Sequence, residues 1–502
     1  RGEKEGFISV RLEAPEARIV GWLKSRTIPK NGSVFNGVIE KAVEDAYHRL
    51  IAPSIENELR GALTEAASGQ AIRVFSENLR NLLLQPPVKG KAVLGLDPAY
   101  RTGCKLAVVN ETGGVLYTGV IYPTPPQNKA EEAAKTLKAL IARYNVEIIA
   151  IGNGTASRES EIFVAGVIKS LDRKVRYMVV SEAGASVYSA SKLGALEFPE
   201  FDVSLRSAVS IARRLQDPLA ELVKIDPKAI GVGQYQHDMN QKRLGEALSG
   251  VVESCVNSVG ADLNTASPSL LSYVAGISAS IAGNIAEYRE TVGSFKTRKE
   301  LLKVKKLGAK TFRQCAGFLR IPGSEDILDN TAVHPESYEA CRKLLKLTGH
   351  TVEDVREKRL GNLKDEIAKL GREKVADTIG VGVPTLNDMA DELLKPGRDP
   401  RDELPPPLLS EGVLDIGDLK PDMILNGTVR NVVDFGAFVD IGVHQDGLVH
   451  ISELSDRFVR NPMEVVSVGD IVKVRVIEVD AKRKRISLSM KGIKEPAMKD
   501  IK

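Results

Sequence analysis

Cysteine is scarce in this sequence of 502 residues, and it is never clustered. The four cysteines form no Cys-x-x-Cys pair, and none of the six histidines has a neighbour at metal-ligand spacing. This pattern argues against a structural zinc site and indicates a reducing cytosol. We therefore expect no cofactor and no resident metal ion.

Long apolar runs, a secretory signal and a strong excess of one charge are also absent. We therefore expect a cytoplasmic protein that does not span a membrane. The net charge of +4 is small for this length, so any nucleic-acid-binding surface has to be local. Tryptophan occurs once, and we expect Trp22 to anchor a core. The charged start at Arg1 rather than Met leads us to expect a missing N-terminal part, and the length requires several domains.

The most informative stretch covers residues 426–491. Apolar residues alternate with basic ones from Ile471 to Val479, which is the period-two pattern of a half-buried strand. This segment and its neighbours predict a small β-barrel over residues 419–492. Phe and His rings beside Arg on the outside of such a barrel form a stacking platform for unpaired bases.

The N-terminal residues 1–88 have apolar side chains at three- and four-residue spacing. This spacing predicts two helices, over 34–50 and 55–84, which end before Pro86 because proline removes a backbone donor. Residues 89–222 then change to short apolar strands that alternate with helices. Antiparallel strands followed by βαβ units predict a ribonuclease-H-like α/β domain.

Two kinds of chemistry suit this α/β domain. Ile151-Gly-Asn-Gly154 lies between a strand and a helix, as in nucleotide-binding loops, but Ser157 replaces the third glycine and Asp172 precedes its strand. The alternative is phosphodiester cleavage with two Mg²⁺ or Mn²⁺ ions, which needs carboxylates converging from adjacent strands. Asp97 and Glu182 each follow an apolar strand and can meet at one edge of the sheet.

The third carboxylate that metal-dependent cleavage needs is missing from the next predicted helix, 204–216. Its inward-facing candidates are Arg206, Ser207 and Ser210, and Asp202 lies outside the helix. We therefore predict a retained fold without hydrolytic activity and without catalytic residues. Asp97 and Glu182 are the candidates if the domain is active.

Residues 223–325 contain two similar helix-hairpin-helix motifs, and the second is strongly basic. In such motifs glycines let the backbone approach a phosphate, and the N–H groups that open the second helix point at it. The first hairpin has few charges and can be structural, and the alternative for the second is a merely solvated basic helix pair. The predicted phosphate-binding residues are Gly276, Ser278, Lys305, Lys306, Leu307, Gly308, Ala309, Lys310 and Arg313, and the basic patch also includes Lys296, Arg298, Lys299, Lys303 and Arg320.

Three further segments offer no catalytic pattern. His237 and Asp238 end a polar, glycine-rich loop, and because no nucleophile lies near them we expect a buried loop that fixes two domains together. Residues 326–395 are helical and polar. A stiff, proline-rich linker over 396–418 then precedes the barrel, which can therefore move relative to the rest.

Four segments carry a resemblance to one family: Gly95–Cys104, Ile151–Glu159, Val180–Ser189 and Gly231–Asp238. With the hairpins and the barrel, they make nearly the whole chain resemble the bacterial Tex family of transcription accessory proteins, and less closely the core of its eukaryotic elongation-factor relative. The resemblance implies a YqgF-like ribonuclease-H fold, helix-hairpin-helix motifs and a C-terminal S1-type OB-fold. It also implies a cytoplasmic protein linked to transcription and RNA binding, with a further N-terminal helical region that this chain largely lacks.

The resemblance also implies residue roles. Asp97 and Glu182 match acids of active YqgF-like and junction-resolving nucleases, but Arg206 stands near the place of the helix acid, and Ala99 departs from the usual glycine after Asp-Pro. Phe435, Phe438, His450 and Arg485 match the RNA-facing positions of S1-type domains, with Asp480 as an acid beside them. With the outward-facing basic residues of the barrel strand added, the predicted RNA-binding residues are Phe435, Phe438, His450, Lys473, Arg475 and Arg485.

The leading hypothesis is a monomeric, non-catalytic protein with α/β, all-α and β-barrel domains that binds single-stranded RNA, and DNA as well, in transcription or RNA metabolism. Its sequence preference should be weak, because stacking and phosphate contacts carry little base information. The alternatives are a metal-dependent, structure-selective nuclease and a scaffold whose helical parts bind the transcription machinery.

Overall fold

The computed structural model describes residues 2–493 except 4, 31, 232–235, 406, 408, 410–418, 434, 444, 468 and 481–484. The chain divides into two compact units, residues 1–75 with 233–244 and residues 76–232 with 245–502. In the part of the chain that the structure describes, no helix is long and apolar enough to cross a membrane.

The first unit is helical. It contains α1 (Glu16–Thr27), α2 (Asn36–Ala46) and most of α3 (Ala52–Leu83), and a π-helical turn at Tyr47–Ile51 joins α2 to α3. The predicted gap between two helices is therefore a local change of helical pitch rather than a loop.

The prediction that Trp22 anchors a core is wrong. Its side chain is 58% exposed, and the Arg26 guanidinium lies 5.4 Å from the ring centroid in a cation–π contact. Helix α1 buries none of its residues, and Lys24 ties it to α2 by donating to Glu40 and Glu44 at 2.7 and 2.6 Å. Ile19, Val20 and Leu23 are half-buried, so partial apolar packing holds this helix together with the ion pairs.

The loop that ends at His237 and Asp238 is only partly buried. Pro227 and Ile230 near its start are buried, whereas His237 and Asp238 are exposed on a short 3-10 turn, Gln236–Asp238, followed by the buried Met239. Residues 232–235 of this loop lie outside the described residues.

Residues 93–222 confirm the ribonuclease-H-like α/β fold. The sheet has the order β3-β2-β1-β4-β5, in which β1 pairs antiparallel with β2 and parallel with β4. The elements are β1 (Val93–Asp97), β2 (Cys104–Val109), β3 (Val115–Ile121), α4 (Ala130–Arg143), β4 (Ile148–Gly152), α5 (Ser157–Lys169), β5 (Arg176–Val180), α6 (Ala185–Ala190), α7 (Lys192–Glu197), α8 (Val203–Gln216) and α9 (Pro218–Leu222).

Helices cover both faces of this sheet, because alternate residues of its buried strands point to opposite sides. One core joins the sheet to α4 and α5, and the other joins it to α8. Gly95 lets α8 lie close to β1, since a Cβ atom at this position would be 2.3 Å from the carbonyl oxygen of Ala208. The close approach brings the first turns of α8 to the end of β1, where Asp97 lies.

The hairpin region confirms the predicted helix-hairpin-helix architecture. Its elements are α10 (Gln241–Val259), β6 (Ala261–Asp262), α11 (Pro268–Leu271), α12 (Ala279–Thr291), α13 (Ala309–Cys315) and β7 (Leu319–Arg320). The following helices, which pack around a core of their own, are α14 (Tyr338–Leu347), α15 (Val352–Arg356), α16 (Leu363–Leu370), α17 (Arg372–Ile379) and α18 (Val383–Leu394).

The prediction of an extended linker from residue 396 is wrong for its first part. Residues Pro400–Glu403 form a 3-10 turn, and the Arg401 side chain is buried, where it donates to Asp399 and to Asp217 after α8. Asp399 in turn accepts from Lys89 at 2.8 Å. Charged side chains therefore dock this segment on the α/β domain, a contact that prolines alone do not reveal. Residues 410–418 lie outside the described part of the chain.

The C-terminal strands close into the predicted barrel, in the order β10-β12-β11-β8-β9. They are β8 (Ile424–Val433), β9 (Gly436–Asp440), β10 (Gly447–His450), β11 (Ile471–Asp480) and β12 (Arg485–Ser489). The alternation predicted for β11 is present, since Val474 and Val476 are buried while Lys473 is exposed.

Candidate nucleic-acid interface

The predicted aromatic residues share one outer face of the barrel. Phe438 in β9 lies opposite Leu448 in β10, and Gly436 lies opposite His450. Because the residues between them, Ala437, Val439 and Val449, are buried, the side chains of Phe438 and His450 point away from the barrel interior. Phe435, in the turn before β9, is 52% exposed, and its ring meets that of Phe438 edge to face with the centroids 6.3 Å apart. The face offers two rings and an imidazole to a flat ligand.

Gly436 keeps this face open. A Cβ atom there would lie 2.2 Å from the carbonyl oxygen of Val449, so the two strands tolerate only glycine at this point. The position opposite the exposed His450 therefore carries no side chain that could cover the imidazole.

The imidazole of His450 is oriented by its own turn. Its Nδ1 accepts from the backbone N–H of Ser452 at 3.3 Å and lies 2.9 Å from the Ser452 hydroxyl. A neutral ring with Nδ1 as acceptor carries its proton on Nε2, which leaves that N–H as a donor. The ring can thus stack and donate at the same time.

Basic side chains border the aromatic face on β12 and β11. Ser487 in β12 lies beside Leu448, so Arg485, two residues earlier, is on the same outer face and is exposed. In β11, Arg475 lies opposite Ser489 and is therefore on the same side. Arg485 is the more accessible of the two, since Arg475 is half-buried and its Nη2 donates to the backbone carbonyl of Lys491 at 3.1 Å.

Lys473 is exposed and lies two residues before Arg475 in β11, so it is on the same side of that strand, where it pairs in register with Asn426 of β8. The sequence did not single out one polar residue beside the rings: Asn431 of β8 is exposed and lies opposite Phe438. A register shift between Val429 and Asn431 creates this pairing, and sequence alternation cannot reveal such a shift.

The two hairpins have matching backbones. Gly276 and Lys306 both have a positive φ, of 82° and 66°, and each is followed by a buried anchor, Ile277 or Leu307. The Leu307 side chain therefore belongs to the core, so only its backbone is available to a phosphate. Ser278 is exposed, and its hydroxyl oxygen caps α12 by accepting from Ile281, which makes it a helix cap as well as a candidate contact.

Part of the predicted basic patch is not on the surface. Arg298 is 1% exposed and donates to the carbonyl oxygens of Leu319 and Val333 at 2.6 and 2.8 Å. Arg320 is 9% exposed. Sequence charge alone could not separate these buried guanidiniums from the exposed basic residues, which are Lys296, Lys299, Lys303, Lys305, Lys306, Lys310 and Arg313.

The two candidate catalytic acids do lie close together. Burial raises the pKa of both Asp97 and Glu182, and the charge of Asp97 raises the pKa of Glu182 further. A hydrogen bond from Ser207 and the charge of Lys105 partly offset the shift at Asp97. A cleft of about 470 Å³ opens beside Asp97 and is lined by Asp97, Ser186, Ser189, Asp202, Val203, Ser204 and Ser207.

The glycines of the Ile151–Gly154 loop make room for Glu182. A Cβ atom on Gly154 would lie 1.8 Å from Glu182 Oε1, and one on Gly152 would lie 2.8 Å from Oε2. Asn153 also accepts from the backbone N–H of Glu182 at 2.9 Å. The space beside the loop glycines is therefore occupied by the Glu182 carboxylate.

The donor set of this cleft fits a two-metal site poorly. Asp202 lies just outside α8, as predicted, and it lines the cleft, but its carboxylate caps the helix by accepting from the backbone N–H groups of Ser204 and Leu205. Arg206 is turned away and donates to the carbonyl oxygens of Phe198 and Ser189 at 3.0 and 3.1 Å. Over the described ranges, no three His, Cys, Asp or Glu side chains are grouped as ligands for a metal ion.

Family models match four parts of the chain. They are the Tex protein YqgF-like domain over 91–216, a helix-hairpin-helix motif over 256–320, an HHH domain over 326–401 and the S1 RNA binding domain over 418–491. The third match identifies a helical domain in which the sequence showed no chemistry. It also extends to Arg401, within the segment predicted as linker.

Similar proteins occur in several bacteria. An uncharacterized protein of Bacillus subtilis, YdcI, is 56% identical over 98% of this chain and 68% of its own length. The chain belongs to the Tex family. Among the relatives that bear this name, the Transcriptional accessory protein Tex of Neisseria gonorrhoeae is 53% identical over 99% of the chain and 65% of its own length. Protein tex of Bordetella pertussis is 53% identical over 87% of the chain, which spans about 55% of the length of that Tex protein.

Proposed function

We propose that this chain is a non-catalytic, nucleic-acid-binding part of a transcription accessory protein. It binds single-stranded RNA, and DNA as well, through the outer face of the barrel and through the second hairpin. The observation that carries the proposal is the convergence of Phe435, Phe438, His450 and Arg485 on one face. Rings that accept any base and guanidiniums that meet phosphates give affinity with weak sequence preference.

The second hairpin supplies the phosphate contacts of this proposal. Lys305, Lys306 and Lys310 are exposed around the turn, and no ion pair within the described residues neutralises them. Arg313 is exposed but pairs with Glu336 at 3.2 Å, so it contributes less. Exposed lysines of this kind give binding that weakens as salt rises, because phosphate contacts release counterions.

The names of the relatives support a role in transcription. Two of them are called Tex or transcriptional accessory protein, and we propose that this chain likewise acts with the transcription machinery. We propose no hydrolytic activity, because the cleft at Asp97 offers serine hydroxyls and a capping carboxylate where metal chemistry needs further free carboxylates.

The test of RNA binding compares two double variants by fluorescence anisotropy with a labelled single-stranded RNA. Phe438→Ala with His450→Ala removes two stacking surfaces, and each lost stack costs about 1–3 kcal/mol. Binding should therefore weaken by about 30-fold or more. Phe438→Tyr with His450→Phe keeps both rings and should bind almost as wild type. Equal affinity of wild type and the alanine pair would refute the stacking proposal.

A further inference from the structure

A second cleft, of about 530 Å³, lies within the helical part of the second unit. Its walls come from the hairpin region, from α18 and from the segment after α18. The residues that matter for its chemistry are Arg313, Phe318, Arg320, His334, Glu392 and Arg398. The volume is in the range of pockets that hold small ligands. This cleft is separate from the barrel face and from the cleft at Asp97.

The most unusual group in the wall is the guanidinium of Arg320. The residue is 9% exposed, and within the described residues its Nε and Nη1 atoms have no hydrogen-bond acceptor. The backbone of Arg320 is fixed, because it pairs with Asp262 in the β6–β7 ladder and its carbonyl accepts from Leu263 at 2.8 Å. Gly260 packs against the guanidinium, since a Cβ atom there would lie 2.7 Å from Nε.

Arg298 shows what a structural buried arginine looks like in the same region. Its guanidinium donates to the carbonyl oxygens of Leu319, Val333 and Thr331 and to the hydroxyl of Tyr338. A buried charge with unpaired N–H groups is unfavourable, whereas a fully paired one is tolerated. Arg320 therefore has the donor capacity of a ligand-binding group, and Arg298 does not.

Of the three arginines in the wall, Arg320 is the one without an ion-pair partner among the described residues. Arg313 and Arg398 each have a partner outside the wall, Glu336 at 3.2 Å and Glu403 at 3.0 Å. The acid in the wall is Glu392, whose Oε2 accepts from the backbone N–H of Ala332 at 2.7 Å. Burial lowers the pKa of Arg320, and the charge of Glu392 only partly offsets this. Another anion in the cleft would stabilise the guanidinium.

We propose that this cleft binds the phosphate group of a nucleotide, with Arg320 as the main anion-binding residue. The guanidinium keeps a full positive charge and has unpaired N–H groups on Nε and Nη1 that can donate charge-assisted hydrogen bonds to phosphate oxygens. Arg313 and Arg398 are already paired and contribute less, and Phe318 and Pro400 offer apolar surface for the attached nucleoside. The source is either a free nucleotide or the terminal phosphate of a single strand, since both present the same phosphomonoester.

The test measures binding to the full chain by calorimetry at constant ionic strength. The probes are inorganic phosphate, UMP, AMP, and a short single-stranded RNA with either a 5′-phosphate or a 5′-hydroxyl. Wild type should bind UMP or AMP if the ligand is a free nucleotide, and should prefer the 5′-phosphorylated strand if the ligand is a strand end. Arg320→Met should weaken the binding of whichever probe binds to wild type by about tenfold or more, as expected for loss of a charge-assisted contact.

Stability separates this proposal from a purely structural role. Arg320→Met should fold and unfold at a temperature no lower than wild type, whereas the matched variant Arg298→Met should be strongly destabilised because it strands several acceptors. Three results would contradict the proposal. The first is an unfolding temperature of Arg320→Met below that of wild type. The others are equal probe affinity of wild type and Arg320→Met, and no binding of any probe to wild type. The Phe438→Ala, His450→Ala protein should keep the response to UMP or AMP, so failure of the barrel proposal can be told apart from failure of this one.

Discussion

The side-chain amide of Asn284 donates a hydrogen bond to the backbone carbonyl of Lys305 at 2.7 Å. Asn284 is the sixth residue of α12, and Gln314 is the sixth residue of α13 and packs against Gly276 in the other hairpin. The second helix of each motif therefore supports the hairpin of its partner motif. This reciprocal contact gives the first hairpin a structural role although it carries few charges.

The backbone of the first hairpin should not tolerate a side chain. Gly276→Ala places a residue with a Cβ at a φ of +82° and brings that atom to 2.8 Å from Cβ of Gln314. The strain and the contact should destabilise the hairpin region by about 1–3 kcal/mol. Chemical denaturation measures this loss. Gly283→Ala is the control, since its Cβ would meet no atom within 4 Å and it lies inside α12, where alanine should stabilise.

The second hairpin allows charge and backbone to be separated. Lys306 has a φ of 66°, a conformation that favours glycine, so Lys306→Gly should fold without loss of stability while removing one exposed charge. Binding to single-stranded RNA should weaken and become less sensitive to salt. Lys369→Gln, on the exposed side of α16 and outside the basic patch, controls for the loss of a lysine and should bind as wild type. A Lys306→Gly protein that binds as tightly as wild type at every salt concentration would count against the hairpin contact.

The docked segment after α18 should make stability depend on acid pH. Burial would raise the pKa of Asp399, but hydrogen bonds from Arg401 and Lys89 outweigh it and lower the pKa to about 2. A carboxylate with a depressed pKa contributes stability above its unfolded pKa, near 3.8, and that contribution is lost as pH falls towards 2. It amounts to about 2 kcal/mol at neutral pH. Asp399→Asn should be less stable than wild type at pH 7, and the difference should shrink in acid. A difference that stays constant with pH would show that the ion pairs do not set it.

The acids of the ribonuclease-H-like domain should act in the opposite direction. Burial raises the pKa of Asp97 and Glu182, so their folded state holds protons more tightly than the unfolded chain. Stability should therefore fall as pH rises from the unfolded pKa through the raised folded values. Asp97→Asn should remove part of this slope and should be at least as stable as wild type at pH 7. Thermal unfolding across the pH range measures the slope, and a steeper fall in the variant would be inconsistent with buried, mutually repelling acids.

The same variant tests whether the domain cleaves. Wild-type protein with Mg²⁺ or Mn²⁺ should leave branched and single-stranded DNA and RNA intact, because Ser207 and Arg206 occupy the helix where a third acid is needed. Gel analysis of labelled substrates detects cleavage. Metal-dependent products that disappear in Asp97→Asn would establish the nuclease alternative instead.

The sequence predicted the order and type of the domains well, because those depend on local periodicity. The alternation in β11 and the repeated Ile277 and Leu307 anchors are readable without coordinates. Individual charged and aromatic residues were predicted less well. Trp22 and Arg298 exchange the environments expected for an aromatic and a charged residue, since Trp22 is exposed and Arg298 is buried. Such outcomes depend on partners that are distant in sequence.

Two features of the sites depend on such distant partners. The loop glycines Gly152 and Gly154 are explained by Glu182, which lies about thirty residues on and packs against them only in the folded sheet. Arg401 meets Asp217 across 184 residues, so a segment that looks like a proline linker is instead docked. Local composition reports neither contact.

The central claim is that RNA binds to two surfaces, the aromatic face of the barrel and the lysines of the second hairpin. Its most direct test is the dependence of RNA affinity on salt. Wild type, the Phe438→Ala, His450→Ala variant and a Lys305→Gln, Lys306→Gly, Lys310→Gln variant would be titrated with single-stranded RNA at several salt concentrations. The barrel variant should bind more weakly at every salt concentration with an unchanged slope of log affinity against log salt. The hairpin variant should lose about 2 units of that slope, since each phosphate contact to a single strand contributes about 0.7. Wild-type affinity and slope in both variants would contradict the account.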